Sequence, residues 1–342
     1  MGYPIQNENL NPGNINCRAV LFRKEPWRLS IQTKKEAHFS TIGPHQDSSP
    51  DPDKVALVLG GGGARGYAHL GIAQVLLDSG LEPDMVVGTS MGSVIGAALA
   101  NRANLDGMIK VLNRLDINRI LKISHQSRRE LEKAIGKSLV KEIGIRRRLE
   151  SDSNKPPVKL ARLFTFFKLM TKNSSIKELP LSYAAVATDL DKGREILIKE
   201  GKVYRATAAS SAIPGFIPPV KLNGYQLIDG GIVDTVPVLP ALKMGAGAIL
   251  AVDVSKSLEP NPDQNPLSLF YRTSEIRKNE IVRLRTSMVK EKLDGRLLTL
   301  NPPVDELNWL DFNEVDKAVS IGREYARENL TAIKDIFGEG IS

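Results

Sequence analysis

Cysteine is nearly absent. Cys17 stands alone among 342 residues, so neither an internal disulfide nor a multi-cysteine metal site can be built. Histidine is also scarce: His38, His45, His69 and His125 are the four, and none follows residue 125. That removes the Ser…Asp…His chain order of the α/β-hydrolases, in which the histidine comes last. No uninterrupted apolar run approaches the ~18 residues of a membrane-spanning helix. The opening MGYPIQNENLNPGN has neither the basic stretch nor the apolar stretch of a secretory signal, and Gln6 stands where a myristoylation site has Ser or Thr. Internal repeats and low-complexity tracts are missing too. The location expected from these absences is cytoplasmic.

What is present is an ordinary globular composition, 42% hydrophobic and 25% charged. The net charge of +8 is local. Residues 126–172 hold 13 Lys or Arg against 5 Asp or Glu, a surplus equal to that of the whole chain. Clustered positive charge calls for an anionic surface, membrane or nucleic acid. Within the segment, Leu160 to Met170 (LARLFTFFKLM) is amphipathic. It reads either as a helix packed on a sheet with a solvated basic face, or, with Phe164, Phe166 and Phe167, as a surface leaning on lipid headgroups. Peripheral contact with an anionic membrane through 126–172 is the expectation; nucleic acid is not expected.

Residues 1–50, rich in Asn, Pro, Ser and His, read as a largely irregular extension with room for one strand or docked segment, ending at Pro50-Asp51-Pro52. From Val55 on, strand and helix patterns alternate, which predicts an α/β layer fold around a mainly parallel sheet, one domain over 51–342. Strands are expected at Val55–Leu59, Met85–Val87, Ser182–Thr188, Glu195–Lys199, Gln226–Ile228, Ala248–Val254 and Leu297–Leu300. Helices are expected after Gly66, over Val94–Ala100, from Asn104 to Leu115, and over Val203–Ala212 and Pro237–Met244. The C-terminal part, about 267–342, reads as a charged helix to Leu293 and a closing amphipathic helix over Val315–Phe337.

Two strand-to-helix turns carry chemistry. The first strand opens into Gly60-Gly61-Gly62-Gly63-Ala64-Arg65-Gly66, where amide hydrogens at a helix start can gather around a phosphate or an oxyanion. The second opens into Gly88-Thr89-Ser90-Met91-Gly92. This is G-x-S-x-G, whose flanking glycines suit a tight elbow that pushes the serine hydroxyl into the open. A serine nucleophile needs a base. With no histidine late in the chain, a carboxylate is left, and Asp229 is the leading candidate because Gly230 and Gly231 follow it at a strand end. Asp189 and Asp253 are the rival bases, and a plain β-turn is the alternative for Asp229. No motif calls for a cofactor or a metal.

Four blocks in this order and spacing resemble the patatin-like phospholipases, the group that includes the catalytic domain of neuropathy target esterase, in a bacterial form. They are Gly61 to Gly66, Gly88 to Gly92, Ala209-Ser210-Ser211-Ala212-Ile213-Pro214-Gly215-Phe216-Ile217-Pro218-Pro219, and Asp229-Gly230-Gly231. The match covers about Lys54 to Ser255. The resemblance implies a three-layer patatin-like fold, a Ser–Asp dyad at Ser90 and Asp229, and an oxyanion loop at Gly61, Gly62, Gly63, Ala64, Arg65 and Gly66. It also implies a serine esterase of lipid metabolism that cleaves fatty-acyl esters of lysophospholipids or phospholipids. Thr235 stands where the family often has asparagine, in Asp234-Thr235-Val236-Pro237, which puts the local hydrogen bonding in question. Three other readings stay open. The acyl-serine could pass its acyl group to an acceptor other than water. The fold could serve as a non-catalytic binding module. Gly61-x-Gly63-x-x-Gly66 could bind a nucleotide, although the next strand ends in Gly88-Thr89-Ser90 instead of an acidic residue.

Overall fold

The computed structural model describes residues 39–42, 48–117, 160–171, 173–258 and 266–338. At its centre lie three strands, β2 (Asp51–Leu59), β3 (Met85–Thr89) and β8 (Ala246–Val252), parallel to one another. Val55–Leu59 and all of β3 and β8 are buried. Successive strand residues point to opposite faces. Leu57 and Leu59 accordingly enter one core and Ala56 and Val58 a second. A strand covered on both faces must be apolar throughout, which is why these strands read as unbroken hydrophobic runs.

The sheet has nine strands, adding β1 (Phe39–Ile42), β4 (Ser182–Asp189), β5 (Arg194–Ile198), β6 (Val220–Leu222), β7 (Tyr225–Asp229) and β9 (Leu297–Leu300). Its main path runs β1-β5-β4-β3-β2-β8-β9, with β6 and β7 branching from β4. Pairing is parallel except between β4 and β5, β4 and β7, and β6 and β7. The larger core lies under α1 (Ala68–Asp78), α2 (Met91–Ala100), α3 (Leu105–Arg114), α4 (Leu160–Met170) and α5 (Val203–Ser210), with α8 (Val315–Glu328) and α9 (Leu330–Ile336). The smaller lies under α6 (Val238–Lys243) and α7 (Pro266–Lys292). Helices on both faces of one mixed, mainly parallel sheet make the three layers.

Two details depart from the pattern reading. Residues 39–42, inside the segment read as an irregular extension, pair with β5 as an edge strand. Residues 1–38, 43–47 and 118–159, with most of the basic segment, lie outside the described residues. The closing helix is two helices, broken where the Asn329 side-chain amide donates to the Tyr325 carbonyl, 2.8 Å, a local bond that competes with helix continuation. Among the described residues no helix is long and apolar enough to cross a membrane.

Candidate active site

The topology itself brings two chain segments together. On one edge of β4, β3 pairs as far as Thr89 opposite Val186, and there leaves the sheet. The vacant edge above is taken by β7, which runs the other way and ends with Asp229 opposite Ala187. Ser90 and Asp229 therefore arrive at adjacent rungs from opposite directions, although 139 positions separate them.

Ser90 is the sharp point of the β3–α2 turn. Its φ of 52° and ψ of −124° lie in a region that costs a non-glycine residue about 1–3 kcal/mol. Neighbours hold it there. Its N–H donates to Ser210 Oγ (2.8 Å), and that hydroxyl donates onward to the Val186 carbonyl (2.6 Å). The Ser90 carbonyl accepts from Ser93 N (2.9 Å) and Ser93 Oγ (2.7 Å). A Cβ at Gly92 would overlap the Leu59 carbonyl, and one at Gly88 would overlap the Gly92 backbone. That crowding is the physical content of the G-x-S-x-G spacing.

The Ser90 hydroxyl donates to Asp229 Oδ2 at 2.7 Å, and Oδ1 accepts the Gly231 N–H at 2.8 Å. The Asp229 main chain is pinned as well, its N–H to Ala212 O (2.9 Å) and its carbonyl by Thr188 Oγ1 (2.8 Å). Gly230 packs so tightly that a Cβ would overlap the Val186 carbonyl. Burial raises the Asp229 pKa to about 6, against the lowering effect of the Ser90 and Gly231 hydrogen bonds. A carboxylate so tuned accepts a proton near neutral pH far more readily than a solvated one. The rival aspartates do other work: Asp189 pairs with Arg194 (3.2 Å) and Asp253 accepts the Ser255 N–H (2.8 Å).

The glycine-rich turn runs alongside, with Gly61 against the serine: a Cβ there would lie 3.2 Å from Ser90 Cβ. Its amides are not equivalent. Gly61 N–H donates to Thr235 O (2.9 Å) and Ala64 N–H to Trp309 O (2.8 Å). Gly62 and Gly63 make no such backbone bond among the described residues, and both line the same cleft as Ser90. Gly63 has a φ of 59°, and a Cβ there would overlap the Trp309 carbonyl. Gly66 abuts Met91, the residue after the serine. Arg65 anchors its Nε on the Leu307 carbonyl (2.9 Å) and lines the cleft outside. His69 is fully buried beneath the turn with Nε2 2.8 Å from the Gly60 carbonyl. A carbonyl only accepts, so the proton sits on Nε2. Burial takes the His69 pKa down to about 4, so the ring is neutral at pH 7.

Sequence reasoning missed several supporting residues. Ser210 holds the elbow, and Trp309 holds the glycine turn from far along the chain. Arg285 of α7 reaches the carboxylates of Asp234 and Glu195. Burial, with Glu195 beside it, holds the Asp234 carboxyl above the usual range, opposed by Arg285. The Asp234 carbonyl in turn accepts from Thr89 Oγ1 (3.0 Å), which ties this charged knot to the end of β3. Only long-range packing reveals such partners.

Ser90 stands where two spaces of different character meet. On one side lies an apolar cavity lined by Val94, Met108, Leu163, Phe166, Phe167 and Phe312 among others. On the other is an open cleft of about 1550 Å³, lined by Arg65, Asp229, Lys256, Arg272, Glu275 and Lys278 among others. Phe166 and Phe167 are buried against the first space, so they do not present themselves to a lipid surface as the sequence pattern allowed; Phe164 packs edge-on against Tyr204. An amphipathic stripe marks burial and does not say in what. Among the described residues no group of three or more His, Cys, Asp or Glu has the placement of a metal site.

The patatin-like phospholipase family model matches residues 57–242, more than half of the chain. The chain belongs to the patatin-like phospholipase family. It is 28% identical over 305 residues to lysophospholipase NTE1 of Pyricularia oryzae, a match covering 82% of this chain and 19% of that protein. It is 32% identical over 234 residues to an uncharacterized NTE family protein of Mycobacterium bovis, covering 66% of this chain and 57% of the relative. This member of the family thus spans about a fifth of the fungal protein's length. The crystal structure of VipD from Legionella pneumophila aligns over 83% of this chain and 68% of its own, with 15% identity and a TM-score of 0.40.

Proposed function

We propose that this chain is a serine acyl hydrolase that cleaves fatty-acyl esters of lysophospholipids or phospholipids, with Ser90 as nucleophile and Asp229 as base. The observation that carries the reading is the 2.7 Å hydrogen bond from the Ser90 hydroxyl to a buried carboxylate, at the junction of an apolar cavity and a polar cleft. An acyl chain suits the cavity because its walls are apolar side chains and it opens at Ser90. A phosphate-bearing headgroup suits the cleft, with Arg65 at its wall. The lysophospholipase names of the relatives support the same substrate class.

Asp229 Oδ2 takes the hydroxyl proton as Ser90 Oγ bonds to the ester carbonyl carbon. The carbonyl π pair moves onto oxygen, where the amides of Gly62 and Gly63 receive it, each donor contributing roughly 3–4 kcal/mol by analogy with other serine hydrolases. As the intermediate collapses, the carbon–alkoxide bond breaks and the leaving oxygen takes the proton from Asp229. Water then adds to the acyl-serine with Asp229 again as base. Ser90 leaves with that proton, and the fatty acid is released. No histidine takes part. The basic segment 126–172 adds electrostatic attraction to an anionic membrane surface.

Product analysis on a lysophospholipid in ¹⁸O-water, comparing wild type with Ser90→Ala, tests the reading. Wild type should release labelled fatty acid, and the variant should lose turnover by a factor on the order of 10³ or more. Near-wild-type release by a folded Ser90→Ala protein would sink the assignment. Acyl transfer to added lysolipid without label would replace hydrolysis by transacylation.

A further inference from the structure

Val282 and Val289 pack into the smaller core from α7. Arg285 lies three positions after the first and four before the second, so it shares their inward face. There its guanidinium meets two carboxylates at once, those of Asp234 and Glu195, which are 0% and 3% exposed. Glu195 stands in β5 two residues before Leu197, which belongs to the same core. Two carboxylates taken out of water against one cation seldom add net stability. Their placement says more, because each stands one contact away from a residue that holds one member of the Ser90–Asp229 pair.

The Asp234 arm leads to the nucleophile. The Asp234 carbonyl accepts from Thr89 Oγ1 (3.0 Å), and Thr89 is the last residue of β3, directly before Ser90. The Glu195 arm leads to the base. Glu195 stands opposite Thr188 in the β4–β5 pairing, and Thr188 Oγ1 donates to the Asp229 carbonyl (2.8 Å). The turn that carries Asp234 touches the rest of the site as well. Asp234 N–H donates to the Gly230 carbonyl (2.8 Å), and the Thr235 carbonyl accepts from Gly61 N–H (2.9 Å). One guanidinium, delivered by a helix of the outer layer, thus bridges the two supports whose relative position sets the 2.7 Å between Ser90 Oγ and Asp229 Oδ2. A misplacement of about 1 Å in such a pair is enough to cost about a hundredfold in rate.

We propose that Arg285 is a positioning residue for the reaction: by holding Asp234 and Glu195 together it fixes where the Ser90 hydroxyl and the Asp229 carboxylate meet. The inference rests on the reading of those two as nucleophile and base.

Turnover of a water-soluble short-chain ester by the full chain, divided by the number of sites that saturating fluorophosphonate titrates at Ser90, tests it. Arg285→Gln removes the bridging charge. It should lower kcat per titrated site about tenfold or more, with KM changed less than about threefold. Arg285→Lys keeps the charge and should recover most of that loss. Thr89→Val cuts the Asp234 arm at its far end without touching a buried charge, and carries the test should Arg285→Gln fail to fold. It should also lower kcat per site. Combined with either Arg285 variant, the two losses should be less than multiplicative, as for residues acting through one contact. A role in stability alone would lower the titrated fraction and the thermal midpoint while each remaining site turned over at the wild-type rate, and that would overturn the proposal. Fully multiplicative losses would overturn it too. A wild-type adduct elsewhere than Ser90 would instead remove the nucleophile assignment, and this inference with it.

Discussion

Replacing Asp229 by asparagine should abolish turnover and at the same time make the protein more stable at neutral pH. Burial lifts the Asp229 pKa from 3.8 to about 6, with the Ser90 and Gly231 hydrogen bonds offsetting only part of the effect. A raised folded-state pKa means that the native protein holds this proton more tightly than the unfolded chain does. Its contribution is fully present below the unfolded value of 3.8 and is lost as pH rises through about 6. Two pH units at 1.36 kcal/mol each put the burden of the ionised carboxylate at roughly 3 kcal/mol at pH 7. Asparagine keeps the shape without the charge. Its carbonyl oxygen can accept from Gly231 while its amide donates to Ser90 Oγ. The imperfect exchange of partners trims the expected gain to about 1–3 kcal/mol. Urea melts of both proteins should show the variant more stable at pH 7, with the gap closing toward pH 4, where the wild-type carboxyl is protonated. Equal stability at pH 7, or a gap that widens in acid, would refute the claim that this carboxylate is held charged against its own desolvation.

The same shift fixes the pH profile: kcat/KM should fall about tenfold per unit below an acid limb near pH 6, because protonated Asp229 cannot accept from Ser90. A limb near 4 would mean that burial does not tune this group. Ser210→Ala leaves the buried Ser90 N–H without its acceptor, so thermal melts should lose about 1–3 kcal/mol and kcat should fall more than KM changes. Val94→Phe, one helical turn beyond Ser90 and on the wall of the apolar cavity, should keep short-chain ester turnover and depress long-chain turnover at least about tenfold, with about 1–3 kcal/mol of overpacking cost. An unchanged chain-length profile in the folded variant would place the acyl chain elsewhere.

Much of this site was legible because its constraints are local. Gly88 and Gly92 are forced by backbone crowding within a five-residue turn, and the unbroken runs Val55–Leu59 and Ala248–Val252 are forced by burial on both faces. Asp229 was reachable by elimination, since no late histidine exists and two glycines follow it. What could not be read depends on contacts across long stretches of chain. Ser210 meets Ser90 over 120 positions, and Trp309 closes on Ala64 only once the C-terminal segment has packed. The resemblance implied an oxyanion loop over all of Gly61 to Gly66, whereas the Gly61 and Ala64 N–H groups donate to the Thr235 and Trp309 carbonyls. The short β6 carries too few residues for a pattern. The Phe166–Phe167 pair was ambiguous because protein core and bilayer reward the same periodicity.

Covalent labelling with a fluorophosphonate, followed by peptide mass spectrometry of wild type, Ser90→Ala and Asp229→Asn, tests the nucleophile and its base together. Wild type should carry one phosphonylated residue, Ser90, Ser90→Ala should carry no adduct, and Asp229→Asn should be labelled orders of magnitude more slowly. An adduct on any other side chain, or undiminished labelling without the Asp229 carboxylate, would contradict that assignment.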